Sequence, residues 1–319
     1  MTTNYTSNST AYYCSIAPQF HNYNITSLPD SVVPTWIFLS AVNGIAAPLT
    51  VIINLLIIWT VLENENLRSV SYNLLLAALA VTDLLIGLVV QPLYVWRLGC
   101  LVLEYSVPCQ LITSYVFLVL TCSCLTLCTL MMVSVERYLA IEHPHFYRTK
   151  VTAKKTMITM LIVWVTMPTV LVTGRSLVDA DAIQIPALVI IASNVLIILF
   201  CTIKVQVTAY RQRRAIAQQV APAVQQEEQE EQQNRLQEYK RIFTMSMLVL
   251  ASVLFYSPVI ITAIIKAIEG KNVPGDFKYI SQPIYATFIY LQSLVNPLIM
   301  SLRLSYIRQG VKNKLFCLN

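Results

Sequence analysis

The sequence predicts an all-α membrane protein: seven transmembrane helices in one bundle, then a short amphipathic helix. Three observations predict it. The chain of 319 residues is 56% hydrophobic and only 12% charged, far less charge than a soluble domain carries. Seven apolar runs can be read at about 36–62, 72–96, 108–135, 157–173, 183–203, 242–265 and 279–302. Each meets or approaches the ~20 residues a helix needs to cross ~30 Å of hydrocarbon. Charged side chains lie outside these runs except for Asp83, in LAALAVTDLLIGLVV. A carboxylate at that depth costs roughly 2.5–3.5 kcal/mol on an insertion scale, and such residues usually face a bundle interior with a functional role. Backbone polar groups must be satisfied within the membrane, and runs this long exclude the ~10-residue strands of a barrel.

Taken in order, residues 1–32 are polar, without apolar periodicity, and read as a glycosylated tail. Its sequons at Asn4, Asn8 and Asn24 are clustered there and occur nowhere else, which favours an extracellular N-terminus. On that topology 17 Lys and Arg fall inside and five outside, at Arg97, Arg175, Lys266, Lys271 and Lys278, as the positive-inside rule expects. The net charge of +6 therefore needs no nucleic-acid partner and reads as attraction to an anionic inner leaflet. No charged n-region precedes an apolar h-region, so the first span is expected to act as the insertion signal. Residues 33–302 form the bundle, with short loops and one insertion inside, at about 208–241. Its Gln/Glu-rich tract reads as a solvated helix extension or a disordered loop. From 303 to 319, Leu304, Ile307, Val311 and Leu315 recur at helical spacing against Arg303, Arg308, Lys312 and Lys314. That pattern predicts a helix on the inner membrane surface, with Cys317 as a palmitoylation site or a free thiol.

The motifs within this frame resemble those of the rhodopsin-like (class A) G-protein-coupled receptors, over nearly all of 36–317. They are Asn54, Asp83, Glu136-Arg137-Tyr138, Trp164, Pro258 in FYSP and Asn296-Pro297 in LVNPLIM, in order and in the expected spans. The resemblance implies a plasma-membrane receptor that couples an extracellular ligand to a heterotrimeric G protein, with arrestin and receptor kinases as further partners. It implies no catalytic chemistry. Arg137 stands where the third span meets the cytosol and is too costly to leave unpaired there. Glu136 can hold it, and so can Glu238, 20 residues before Pro258, where the family closes an ionic lock. The bland alternative places Glu238 in the solvated acidic loop. Pro258 removes a backbone hydrogen bond and hinges the sixth helix. Asp83, Thr126, Ser293 and Asn296 match positions that in the family surround a sodium ion; their oxygens suit a hard cation or waters.

Departures from the pattern accompany the match. Met300 and Thr202 stand where tyrosines are usual, and Tyr256 replaces a tryptophan. These changes admit a receptor with altered signalling. A seven-helix transporter is a remoter alternative, lacking paired broken helices. The family's outer disulfide is also changed, because 174–186 holds no cysteine. Cys109 is left to pair with Cys14 or Cys100, or to stay reduced. Val119, 18 residues before Arg137, occupies the position where amine receptors carry an aspartate, which argues against a biogenic amine. Tyr290 stands where opsins carry lysine. The pocket is expected between the third, fifth, sixth and seventh spans, with an uncharged lining of Gln91, Tyr94, Tyr115, Ser123, Gln282, Tyr285 and Tyr290. Some of those tyrosines read equally well as interfacial belt residues, so the ligand class stays open between small molecules and short peptides.

Overall fold

The chain is seen in a computed structural model that describes residues 28–105, 108–177, 180–219, 226–269 and 275–317, with the side chains of 171–191, 212–240, 263, 266–267, 278 and 315–317 outside the described set. Among the described residues eleven α-helices occur in this order: α1 (Val32–Glu63), α2 (Glu65–Arg68), α3 (Ser71–Leu85), α4 (Gln91–Val102), α5 (Cys109–Glu142), α6 (Pro144–Lys150), α7 (Ala153–Leu177), α8 (Ala180–Gln219), α9 (Gln226–Glu269), α10 (Gly275–Arg303) and α11 (Ser305–Cys317). Helices α3 and α4 are one membrane segment joined by a π-helical turn at Ile86–Val90. Six helical stretches of the described residues are long and apolar enough to cross a membrane, and α7 occupies the fourth predicted span. The architecture is a seven-helix bundle. Helix α1 packs on α3, α4 and α10, α5 packs on α3 and α8, and α9 packs on α10.

The helices outrun their apolar runs. Helix α8 continues to Gln219 and α9 begins at Gln226, so the polar insertion is largely helix extension. The expected outer loop at 174–186 is mostly taken up by the ends of α7 and α8. Within the spans, hydroxyls turn back on their own helix: Thr50 donates to the Ala46 carbonyl at 2.9 Å, and Thr129 to Leu125 at 2.7 Å. That satisfies a polar group without a partner from water.

Two apolar clusters fill the bundle. One surrounds Tyr72, Leu76, Met245 and Met300 at the end that carries Arg137. The other surrounds Trp36, Tyr94, Tyr115 and Tyr290 at the opposite end. The π-helical turn positions the second cluster. Pro92 has no N–H to give the preceding turn, and a widened turn accommodates that loss. A Cβ on Gly87 in this turn would meet Thr50 at 3.0 Å and the Ala47 carbonyl at 3.2 Å, so glycine lets α1 approach. Beyond the turn, Gln91, Tyr94 and Arg97 recur at three-residue spacing and all face inward, with 0%, 0% and 2% exposure.

Helix α11 folds back on α1 at the end of the bundle that carries Arg137. Leu304 and Ile307 are buried, as their spacing predicts, and Tyr306 donates to Asn73 Oδ1 at 2.8 Å. Lys314 pairs with Glu63 and lies 4.4 Å over the Trp59 ring.

Candidate functional site

At the middle of the bundle, Asp83 is 1% exposed. Its Oδ2 accepts from Asn296 Nδ2 at 3.0 Å, and the Ser293 side chain lies beside the same carboxyl. Asn54 in turn donates to the Ser293 carbonyl at 3.0 Å. The four residues link α1, α3 and α10 in one chain of contacts. Asp83 Oδ1, Asn54 Oδ1 and Asn296 Oδ1 are all buried acceptors with no donor among the described residues. Three oxygens of this kind fit a hard cation or a bridging water. Thr126 differs from expectation in direction: its hydroxyl donates to Thr82 at 3.2 Å, one residue before the carboxylate. Among the described residues no cluster of three His, Cys, Asp or Glu side chains forms a metal site of the transition-metal kind.

At one end, Arg137 is 1% exposed and is gripped by its own neighbour. Its Nε donates to Glu136 Oε2 at 2.5 Å and its Nη2 to Glu136 Oε1 at 2.6 Å, a two-point clamp. Tyr147, on α6, donates to the same Oε1 at 2.5 Å. The guanidinium lies 4.5 Å over the Tyr72 ring, and the Tyr72 hydroxyl donates to the Arg241 carbonyl of α9 at 3.3 Å. Arg137 is thereby connected to α3, α6 and α9 through a small set of contacts. Tyr138 points elsewhere, with its ring near His143 and Phe200. The Glu238 side chain lies outside the described residues.

Helix α9 carries Pro258 well inside its length. Tyr256, two residues earlier, lies beside Ser123 of α5, so two predicted residues come near each other across the bundle. Pro297 lies inside α10, and Met300 one turn on is fully buried in the apolar cluster around Tyr72. A thioether there packs but donates nothing. Thr202 also has a buried hydroxyl with no protein partner.

At the opposite end, the tyrosines come together in a group that joins α1, α4, α5 and α10. Tyr115 and Tyr290 share a short hydroxyl–hydroxyl hydrogen bond. Tyr94 donates to the Pro283 carbonyl at 2.8 Å and its ring meets Tyr290 edge-on at 5.3 Å. Gln91 donates to Asn43 at 3.3 Å, and Asn43 to Thr287 at 2.9 Å. The π-helical turn immediately precedes Gln91 and Tyr94, both of which face into the bundle. Val119 and Tyr285 are partly buried at the edge of this cluster. Arg97, counted from sequence only as an outer basic residue, is a functional candidate that sequence reasoning missed. Its spacing from Gln91 and Tyr94 was the signal that could have found it.

The cysteine alternatives narrow. Cys109 is disulfide-bonded, whereas Cys100 is a free thiol, so the Cys100 pairing does not form. Cys100 packs instead with Ile112 and Val116 in a small apolar group. Cys14 and the sequons Asn4, Asn8 and Asn24 lie outside the described residues, as does the Cys317 side chain.

Residues 53–300 match the family described as "7 transmembrane receptor (rhodopsin family)". The chain belongs to that family. It is 31% identical over 303 residues to trace amine-associated receptor 7h of Rattus norvegicus, covering 86% of this chain and 81% of that one. Trace amine-associated receptor 7d of the same species is 30% identical at the same coverage. The histamine H2 receptor of Canis lupus familiaris is 32% identical over 133 residues, 41% of this chain and 36% of its own. The protein is therefore a multi-pass receptor of the G-protein-coupled class and has no enzymatic activity of its own.

Proposed function

We infer that this receptor sits in the plasma membrane with its N-terminus outside, takes a small extracellular ligand and drives nucleotide exchange on a heterotrimeric G protein. The observation that carries the coupling step is the Arg137 clamp. A buried arginine held by Glu136 and linked through Tyr72 to α9 is a two-state element, since broken contacts there release α9 to swing about Pro258. Glu238 is assigned as a second acid in that role, and arrestin, receptor kinases and inner-leaflet lipid are partners of the released form. In cells carrying sensors for the main classes of heterotrimer, the parent chain should move at least one sensor off the mock baseline. Arg137→Ala should return it. A parent indistinguishable from mock on every sensor, with surface expression shown, contradicts the reading.

The named relatives point to amines as ligands. Val119 offers an ammonium no counter-charge, so an amine of the usual kind lacks its anchor here. Cys109 is assigned to Cys14, which ties the tail over the extracellular end.

Altered signalling is the second reading, and Met300 favours it. With methionine packed where the family carries a hydroxyl, Met300 has no donor to give a water-bridged contact to the fifth span. The Asp83 group is also proposed to hold sodium, through Asp83, Asn54, Ser293 and Asn296. Replacing potassium by sodium should then raise the thermal midpoint of the purified parent, and Asp83→Asn should remove the difference. Equal midpoints in both salts for the parent would exclude the ion.

A further inference from the structure

We propose that Gln292 and Ser252 form a latch inside the bundle that holds α9 against α10 and keeps ligand-free signalling low. This rests on the receptor reading and adds a restraint on α9 separate from the Arg137 clamp. Gln292, on α10, is 2% exposed, and its Nε2 donates to Ser252 Oγ of α9 at 2.8 Å. The Ser252 hydroxyl donates in turn to the Leu248 carbonyl at 2.9 Å. Its proton is thus committed to its own helix, and its oxygen serves as the acceptor for the neighbouring one. A bond of this kind between helices is directional and weakens steeply as they part. Inside the bundle a broken amide stays unpaired until water reaches it, which opposes the parting.

The two sides of the latch are held differently. Helix α10 is a fixed wall at this level: Asn54 of α1 donates to the Ser293 carbonyl, and Asn296 donates to Asp83 of α3, both at 3.0 Å. Helix α9 carries Ser252 six residues before Pro258, on the segment that runs back to Arg241. At 1.5 Å per residue, Ser252 stands about 9 Å from that hinge and Arg241 about 25 Å from it. A displacement of roughly 0.7 Å at Ser252 stretches the bond to the limit of a hydrogen bond. The same rotation moves the Arg241 end by only about 2 Å. Any larger swing of α9 away from α10 therefore breaks the latch. Contacts on either side fix the register of the two antiparallel helices: the Phe255 and Phe288 rings lie 6.2 Å apart, and Arg303 lies 3.9 Å over the Phe243 ring. The latch sits between them, where a polar pair joins the moving helix to the wall that holds Asp83.

The test uses the purified full chain with Ser252→Ala, Gln292→Leu, the two combined, and Ser252→Thr. Agonist-free nucleotide exchange is read on the heterotrimer that Glu136→Gln stimulates. Each single loss of the bond should raise exchange roughly two- to tenfold, the range of one net hydrogen bond. The double variant should rise no further than the larger single, because both changes remove the same interaction. Ser252→Thr keeps the hydroxyl and should stay near the parent, which a merely structural role for the site would not require. Should Gln292→Leu fail to fold, Ser252→Ala against Ser252→Thr decides. The proposal is overturned if Ser252→Ala leaves exchange at the parent level, if Ser252→Thr rises as far, or if the double variant adds the two effects. Should no heterotrimer respond even to Glu136→Gln, the receptor reading fails, and the latch is read from distance alone. Spin labels at Phe146 on α6 and Phe243 on α9, both exposed, should then show a longer population in Ser252→Ala than in the parent. An unchanged distribution overturns the latch.

Discussion

Glu136→Gln should raise agonist-free nucleotide exchange by roughly fivefold or more, the lower edge of common coupling energies. Its carboxylate takes two charge-assisted bonds from Arg137 and one from Tyr147, and all three groups are at least partly buried. Glutamine keeps the shape but removes the charge, so this two-point grip is made to a neutral acceptor. Truncating one side of a buried pair costs about 3–5 kcal/mol in the state that depends on it. That state is the clamped one. The released state, with Arg137 turned toward a G protein, loses nothing by the change. The ratio of the two must therefore move toward release, and the thermal midpoint of the agonist-free protein should fall along with it. A variant with unchanged basal exchange, well folded, would show that Glu136 does not restrain Arg137. Glu238→Gln, measured in parallel, tests whether the second acid adds to the clamp; an increase above the parent supports the lock across to α9.

Gly310→Ala should lower stability sharply, and a second change should restore most of it. A Cβ on Gly310 would overlap the Thr60 Cγ2 methyl and stand 3.1 Å from its hydroxyl oxygen. Overpacking of this kind costs about 1–3 kcal/mol. Thr60 is a short, β-branched side chain with few alternative rotamers, so α11 must move off α1. The shift would loosen the Lys314–Glu63 pair and the burial of Ile307. Thr60→Ala removes both the methyl and the hydroxyl, and that hydroxyl has no protein partner to lose. Thr60→Ala with Gly310→Ala should therefore recover most of the lost thermal midpoint. Equal midpoints for the parent and Gly310→Ala would mean that α11 is not docked as described.

The spans were legible because apolar length is a direct physical requirement of hydrocarbon, and the motifs were legible because each is a polar or helix-breaking residue in an apolar run. Asp83 announced itself that way, and Asn296, one of the residues grouped with it from the sequence, donates to its carboxylate. The hidden features depend on side-chain direction. Arg137 has acids available on two helices, and the spacing of residues cannot give the geometry of either contact; the two-point grip of Glu136 is a fact of rotamers. The polar ends of α8 and α9 carry no apolar signal, so their helices looked shorter than they are. The π-helical turn after Asp83 is likewise a backbone feature that apolar length does not signal. Pro92 marks that turn, but a proline in a membrane span can kink, bulge or sit quietly. Arg97 was hidden for another reason. Counted with the basic residues that set orientation, it looked like an anchor at the membrane edge, and only its burial separates it from them.

If the release of Arg137 frees the cytoplasmic half of α9, the distance between α6 and α9 must report it. Genetically encoded spin labels at Phe146 on α6 and Phe243 on α9, both exposed, measure that distance in the parent and in Glu136→Gln. The parent should show a short-distance population, and the variant should gain a longer one in step with nucleotide exchange. An identical distance distribution in the two proteins, with exchange raised in the variant, would mean that the clamp on Arg137 does not hold α9.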